Sequence, residues 1–478
     1  MNSKNTDHEP LTRDRLTEWF ETAARPNDAD HLVGTELETF GLSLAGDEPT
    51  PINFSDHIQP LMQEFVRQYG WRPGSDRGTH GEVVALERDR ASISLEPGGQ
   101  FELSGKPLPH VHATCEEFTR HYNELHAASL PRELTWLATG FHPLARFEAI
   151  NRMPKGRYEV MRAYLPGRGA RALDMMHRTC TVQANFDYAS ERQCGARLRT
   201  AMGISALSTA LFANSPFYEG RSRGRVSERS MVWTAVDPDR CGLLPFMLDD
   251  PATFSYERYV DWALKIPMFF VKREGRYLAH HATFAEFMER GFTDEAGVHH
   301  RATPADWRLH LNTLFPEVRL NPYIEVRGAD AVGSRFVCSL PALWKGLLYD
   351  EEALAAAWSL VADLEFSARL ELWEECRTHG MSSPRVQQLC QKLLSISRAS
   401  LERQDVRDSR GRTEARFLVP LEALAEQGRS PAEAARLRVE EAVAGGRDRA
   451  SAIIEEFHFA GAGPRKPSAQ AQDRGRLD

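Results

Sequence analysis

Residues 33–41 read VGTELETFG, and the spacing of Glu36 and Glu38 within them decides the fold. Side chains alternate across a strand, so residues two apart share a face. Glu36 and Glu38 therefore point one way while Leu37 and its threonine neighbours point the other. Three further segments repeat the pattern: Gln100 and Glu102 in EPGGQFELSG (96–105), Gln183 and Asn185 in CTVQANFDY (180–188), and Glu325 and Arg327 in PYIEVRGAD (322–330). Each can pack one face on a core and present carboxylates, amides or a guanidinium on the other. An ordinary half-solvated sheet carries mixed Lys, Thr, Ser and Glu there. This polar face is instead dominated by groups that bind divalent cations and phosphates, as the inside of an active site would be.

Around these segments the first 350 residues mix strand and helix signals without a βαβ rhythm. Strands are expected near 33–42, 81–87, 92–104, 134–141, 180–188, 267–273 and 318–327. Helices are expected near 11–24, 54–69, 112–128, 190–213, 255–265 and 283–290. Long excursions between strands, without Rossmann glycines, indicate an α+β fold with an antiparallel sheet. From about 350 the pattern turns helical, over 351–363, 384–402, 415–427 and 431–445. Ser430-Pro431-Ala432-Glu433 carries a helix-start signature. We divide the chain into a tail (1–10), a catalytic domain (11–383), a helical subdomain (384–462) and a second tail (463–478). Both tails are polar enough to be disordered.

The chemistry concentrates in a few stretches. Glu36 and Glu38, about 6 Å apart on one strand face, repel by about 3 kcal/mol at an effective dielectric near 20. Mg²⁺ with its hard oxygen ligands relieves this, although an isolated ExE is more often a solvent-exposed strand edge. SLEPGGQFELSG adds Glu96 and Glu102 around a Pro-Gly-Gly turn. MPKGRYEVMRAYLP (153–166) groups Lys155, Arg157, Tyr158 and Arg162, a cationic cluster suited to carboxylates or phosphates or, more plainly, a solvated basic loop. The stretch from Asn214 and Ser215 through Arg225, Arg229 and Arg240 is a candidate phosphate-cradling loop, though no Walker A motif exists in the chain. His280-His281 and His299-His300 read as surface loops. Cys180 reads as a core thiol.

Composition limits the alternatives. A net charge of −8 argues against a general nucleic-acid binder. Only eight lysines accompany abundant arginine, so most cations are planar guanidiniums. The cysteines (Cys115, Cys180, Cys194, Cys241, Cys338, Cys376, Cys390) are odd in number, widely spaced and lack CxxC, and no signal peptide is evident. They read as reduced thiols of a cytoplasmic protein. No apolar run is long enough to span a membrane.

The chain resembles the glutamate–cysteine ligases shared by plants and many proteobacteria. The resemblance rests on GTELETFG, ISLEPGGQFELSG, MPKGRYEVMRAYLP, LDMMHRTCTVQANFDY, LFANSPFYEG, DPDRCGLLPF, DWALKIPMFF, FPEVRLNPYIEVRGADA and SLPALWKGLLYD, in the family's order, over roughly 12–450. It implies a glutamine-synthetase-like domain whose curved antiparallel sheet forms a funnel. In that scheme ATP phosphorylates the γ-carboxylate of L-glutamate and the amine of L-cysteine displaces phosphate. The resemblance further implies a Mg²⁺ shell of Glu36, Glu38, Glu96, Glu102, Gln183 and Glu325. Arg229 and Arg327 would stabilise the phosphoryl group. Lys155, Arg157, Tyr158, Arg162 and Asn185 would bind substrate, and Asn214, Ser215 and Arg225 the nucleotide. A different amine acceptor with the same acyl-phosphate chemistry is the alternative; a catalytically dead relative is a second. The region matching a disulfide hairpin of plant enzymes (277–300) lacks cysteine here. A monomer whose activity resists mild thiol reduction is therefore expected, with Cys115 and Cys338 unassigned.

Overall fold

The computed structural model describes residues 11–249 and 253–460; both predicted tails lie essentially outside them. Ten strands form the main sheet: β1 (Val33–Ser43), β2 (Thr50–Pro51), β3 (Arg72–Pro73), β4 (Ala85–Arg88), β5 (Ala91–Leu95), β6 (Phe101–Ser104), β7 (Leu134–Leu137), β8 (Val182–Phe186), β9 (Val318–Leu320) and β10 (Ile324–Val326). Their order is β9-β10-β8-β1-β6-β5-β4-β3, every pair antiparallel, with β2 and β7 added along the far half of β1. The expected α+β class with an antiparallel sheet is the observed one.

The length of β1 makes it the centre. Val33–Leu37 pair with β8 and Glu36–Thr39 with β6, after which Phe40–Ser43 turn to β7. Every residue of β1 is buried except Glu36 and Glu38, which are half-buried. Leu37, Leu103, Phe101, Ile93, Val182 and Ala184 join one core on the apolar side. Helices Val111–Ser129, Glu191–Leu211 and Ser339–Leu348 pack there. Glu191–Leu211 is buried almost throughout its second half, because Ala, Ser, Thr and Gly let neighbouring helices approach. A Cβ at Gly203 would stand 2.8 Å from the Trp358 ring.

Two expectations change. The run 318–327 is a hairpin rather than one strand, since Asn321-Pro322 turns the chain between β9 and β10. The seven cysteines are not all free: Cys115 of helix Val111–Ser129 is bridged to Cys338 at the head of Ser339–Leu348, with Cα atoms 5.7 Å apart. Helix packing, which sequence spacing does not show, brings them together. The five others are unpaired. Ser430 caps Pro431–Ala444 as expected, with Glu433 closing the box. Helix Pro384–Gln404 lies against Ser339–Leu348, and Cys390, Leu393, Leu394 and Leu401 join the core beneath the sheet.

The bridge closes a loop across a sequence separation of 223 residues. Chain-entropy reasoning gives its loss an upper cost of about 5 kcal/mol. Cys338→Ser, or reduction by dithiothreitol, should lower the urea midpoint of unfolding. Equal midpoints for oxidised and reduced protein would show that the bridge adds no stability.

Candidate active site

The strand register gathers the four polar pairs on one face. Across β10, β8, β1, β6 and β5 the direct partners are Glu325–Asn185, Gln183–Glu36, Glu36–Ser104, Glu38–Glu102 and Glu102–Ser94. Facing residues of antiparallel strands point to the same side, so the polar pairs form one continuous field. A cavity of about 380 Å³ opens over it, lined by Glu36, Glu38, Glu96, Glu102, Arg157, Tyr158, Gln183, Arg229, Arg319 and Arg327, with Met161, Met175, Trp233 and Phe315 among its apolar walls.

The carboxylates crowd one another. Glu38 stands directly across from Glu102. Glu102 accepts from the Ser94 and Ser104 hydroxyls at 2.8 and 2.9 Å, Glu38 from the Thr181 amide at 3.0 Å, and Glu36 from Asn185 at 3.3 Å. Burial, then Glu325 and Glu102, push Glu36 up to about 8. Burial with Glu96 and Glu102 lifts Glu38 well above the carboxylate range, and burial with Glu102 lifts Glu96. Glu96 is placed by its turn: Gly99 has φ +85°, and a Cβ on Gly98 would meet the His177 carbonyl at 2.3 Å. Gln100 locks that turn, accepting from the Gly98 amide and donating to the Met176 and Thr179 carbonyls.

The cations are fixed as firmly. Glu325 is fully buried and takes Arg319 bidentately at 2.7 and 2.8 Å, with Arg327 and Asn321 on the same carboxylate. Burial alone would raise it, but the two guanidiniums hold it below the ordinary range. Arg327 also donates to Gln183 Oε1 at 3.1 Å, and Arg229 to the Arg327 carbonyl at 2.9 Å. Arg157, on helix Gly156–Tyr164, donates to the Tyr158 hydroxyl at 2.7 Å and lies 3.7 Å from Glu96. Lys155 is buried against the Leu95 carbonyl, 3.6 Å from Asp76; burial and Arg157 bring it down to about 8.

Several expected site residues are placed otherwise. Glu325 carries Arg319 and Arg327 on its carboxylate, and Gln183 accepts from Arg327 while lining the cavity. Arg162 does not line the cavity. Asn214 and Ser215 are held by Asp330, which accepts from the Asn214 amide (2.8 Å), Ser215 (2.6 Å) and Ser227 (2.9 Å). They order the segment leading to Arg229 instead of facing the cavity, and Arg225 is likewise absent from its wall. Asn185 borders a neighbouring cleft beside Glu36 and Tyr323. Arg319 is the residue that sequence reading missed. Its signal was the spacing of Arg319 and Glu325 around Asn321-Pro322, legible only if the run is read as a hairpin. His300 pairs with Asp294 at 2.9 Å in a small hairpin, and Cys180 is a buried core thiol.

The fold itself is shared with a solved glutamate–cysteine ligase of Francisella tularensis in complex with AMP, at TM-score 0.51 and 13% identity over 91% of this chain and 88% of that one. At that identity the likeness concerns architecture alone. The model of glutamate-cysteine ligase family 2 matches residues 32–452, and the chain belongs to that family. It is 40% identical over 430 residues to glutamate–cysteine ligase B, chloroplastic, of Oryza sativa subsp. japonica, covering 89% of this chain and 83% of the rice protein. To the chloroplastic glutamate–cysteine ligase of Arabidopsis thaliana it is 39% identical over 431 residues, covering 89% and 79%. Family membership makes it an ATP-dependent ligase.

The raised Glu36 pKa has a stability consequence. An acid whose folded pKa exceeds its unfolded value gives stability that is full below the unfolded value and lost as pH rises through the folded one. With divalent cations chelated, the Tm should therefore fall from about pH 5 to about pH 8. Glu36→Gln should flatten that fall and melt higher than wild type in mildly alkaline buffer. An unchanged pH profile in scanning calorimetry would show that Glu36 is already ionised at neutral pH.

Proposed function

We propose that the protein is a glutamate–cysteine ligase, catalysing the first step of glutathione synthesis. ATP phosphorylates the γ-carboxylate of L-glutamate, and the L-cysteine amine displaces phosphate to give γ-glutamylcysteine. The observation that carries this reading is the pairing of opposite fields in one cavity: Glu36, Glu38, Glu96 and Glu102 crowded on the sheet, with Arg157, Arg229, Arg319 and Arg327 fixed around them. Family membership adds to it.

The donor set fits Mg²⁺. Burial, and then their carboxylate neighbours, raise Glu36, Glu38 and Glu96, and carboxylate oxygens are the hard ligands that Mg²⁺ takes. Among the described residues no three His, Cys, Asp or Glu side chains converge tightly enough to form a cage. Mg²⁺ is commonly held by one or two carboxylates and completed by phosphate oxygens. One or two of Glu36, Glu38, Glu96 and Glu102 would hold it, and when bound it supplies charge neutralisation to the phosphates. Arg229 and Arg327 contribute fixed positive charge already oriented before reaction, since their positions are set by the Arg327 carbonyl, Gln183 and Glu325. Such preorganisation stabilises charge as it develops on a transferring phosphoryl group. Arg157, braced by Tyr158 beside Glu96, is suited to a substrate carboxylate.

The deciding experiment follows ADP release with Mg²⁺, ATP and L-glutamate, with and without L-cysteine, and weighs the product. Cysteine-dependent release with γ-glutamylcysteine is expected. Glutamate-dependent release indifferent to cysteine would redirect the reading to another amine acceptor, and none under any condition would overturn it. Arg327→Ala should lower kcat by about 10²–10³-fold while the fold survives, the cost of removing one preorganised donor. Mg²⁺ should raise the Tm of wild type, and Glu38→Gln should blunt that rise; an equal rise in both would place the cation elsewhere.

A further inference from the structure

A second cavity, of about 960 Å³, opens between helix Val111–Ser129 and the segment 405–417. That helix packs on the apolar side of the sheet, and the cavity shares no lining residue with the reaction cavity. Its walls carry five guanidiniums, of Arg120 on the helix and of Arg407, Arg410, Arg412 and Arg416 on the segment, against three carboxylates. In a chain of net charge −8 this is a local reversal of sign.

Hydrogen bonds fix the arrangement. Asp408 accepts from the Arg410 and Arg412 amides, both at 2.9 Å, and Gly411, at φ +74°, turns the chain back so that Arg407 and Thr413 form an antiparallel bridge. Two contacts tie this turn to the start of the helix. His112 Nε2 lies 3.2 Å from the Val406 carbonyl, and the fully buried Glu414 accepts the Val111 amide at 2.5 Å while pairing with Lys345. The guanidiniums therefore cannot spread apart as those of a free loop would.

The carboxylates of the groove do not use up this charge. Glu124 is held by Arg88 at 2.8 Å and by Trp71 at 3.1 Å, and Asp408 by Arg412 at 2.8 Å and Arg416 at 2.6 Å. Arg407 pairs with Asp405 at 2.6 Å. Arg120 and Arg410, one from each wall, are left without an ion pair among the described residues. Glu116, one helical turn before Arg120, makes none with it.

We infer that this groove is an anion site, separate from the reaction cavity, for a small multivalent oxyanion: an oligophosphate or a polycarboxylate. Each planar guanidinium takes one phosphate or carboxylate group bidentately. Two unpaired guanidiniums on facing walls thus select a ligand with at least two anionic groups, and the paired arginines around them add to the attraction.

The test is titration calorimetry of the full chain with sodium tripolyphosphate, at fixed ionic strength and without divalent cations. Wild type should bind, and the double variant Arg120→Gln, Arg410→Gln should bind at least about tenfold more weakly, having lost two charge-assisted contacts. Two controls should keep the wild-type affinity: Arg327→Gln, which weakens the reaction cavity, and Arg221→Gln with Arg223→Gln, which removes two exposed arginines elsewhere. No binding by wild type, an unchanged affinity in the groove variant, or an equal loss in either control would overturn the proposal. Citrate under the same conditions separates the ligand classes: a citrate affinity lost in the groove variant assigns polycarboxylates as well, and binding of tripolyphosphate alone assigns phosphates. Both groove side chains are exposed, so their replacement should leave the Tm in chloride unchanged. A clear drop would make them structural partners and defeat the assignment.

Discussion

The rest of the molecule depends on Glu38 and Glu102 facing each other across β1 and β6. Two carboxylates in direct cross-strand register repel, and neither strand can slip to separate them. A one-residue slip would turn Leu37 and Leu103 from the core to the polar side. The core thus enforces an electrostatic conflict that the fold alone leaves unresolved. Hydroxyls from Ser94 and Ser104 and the Thr181 amide satisfy hydrogen bonds but carry no compensating charge. Burial and this crowding raise Glu38 well above the usual carboxylate range.

Beside this conflict lies its converse. Glu325 is as buried as any side chain in the protein, yet it remains anionic because two guanidiniums and an amide complete it. Breaking such a pair leaves an uncompensated buried charge, which is far more costly than the pair's net worth. Glu325 therefore acts as the fixture that sets Arg319 and Arg327 at the cavity wall. Asp330 does similar work for the segment carrying Arg229, gathering Asn214, Ser215 and Ser227 into one buried clasp. The guanidiniums of the cavity wall are held by two buried carboxylates, Glu325 and Asp330, that do not themselves line it.

Much of this was legible beforehand. Period-two alternation located β1, β6, β8 and β10 and assigned Glu36, Glu38, Glu102 and Arg327 to one face, because alternation is a local property of an extended backbone. The Pro-Gly-Gly turn at 97–99 and the Ser430 cap were equally plain. The reading failed where partners were distant. Asn214 and Ser215 look like loop residues free to bind phosphate, and Gln183 like a spare ligand, until Asp330 and Arg327 arrive from remote stretches of chain. Arg319 faces Glu325 only because 318–327 folds as a hairpin, and Cys115 finds Cys338 only when two helices pack.

The sequence by itself determined the antiparallel α+β class, the family and the chemical character of the site, since these follow from local periodicity and from motifs kept in order. Only the tertiary structure decided which of those polar groups are free. A carboxylate such as Glu36 and one such as Glu325 look alike in sequence. Their difference is which charges stand opposite them, and that is fixed by strand register and helix packing across hundreds of residues.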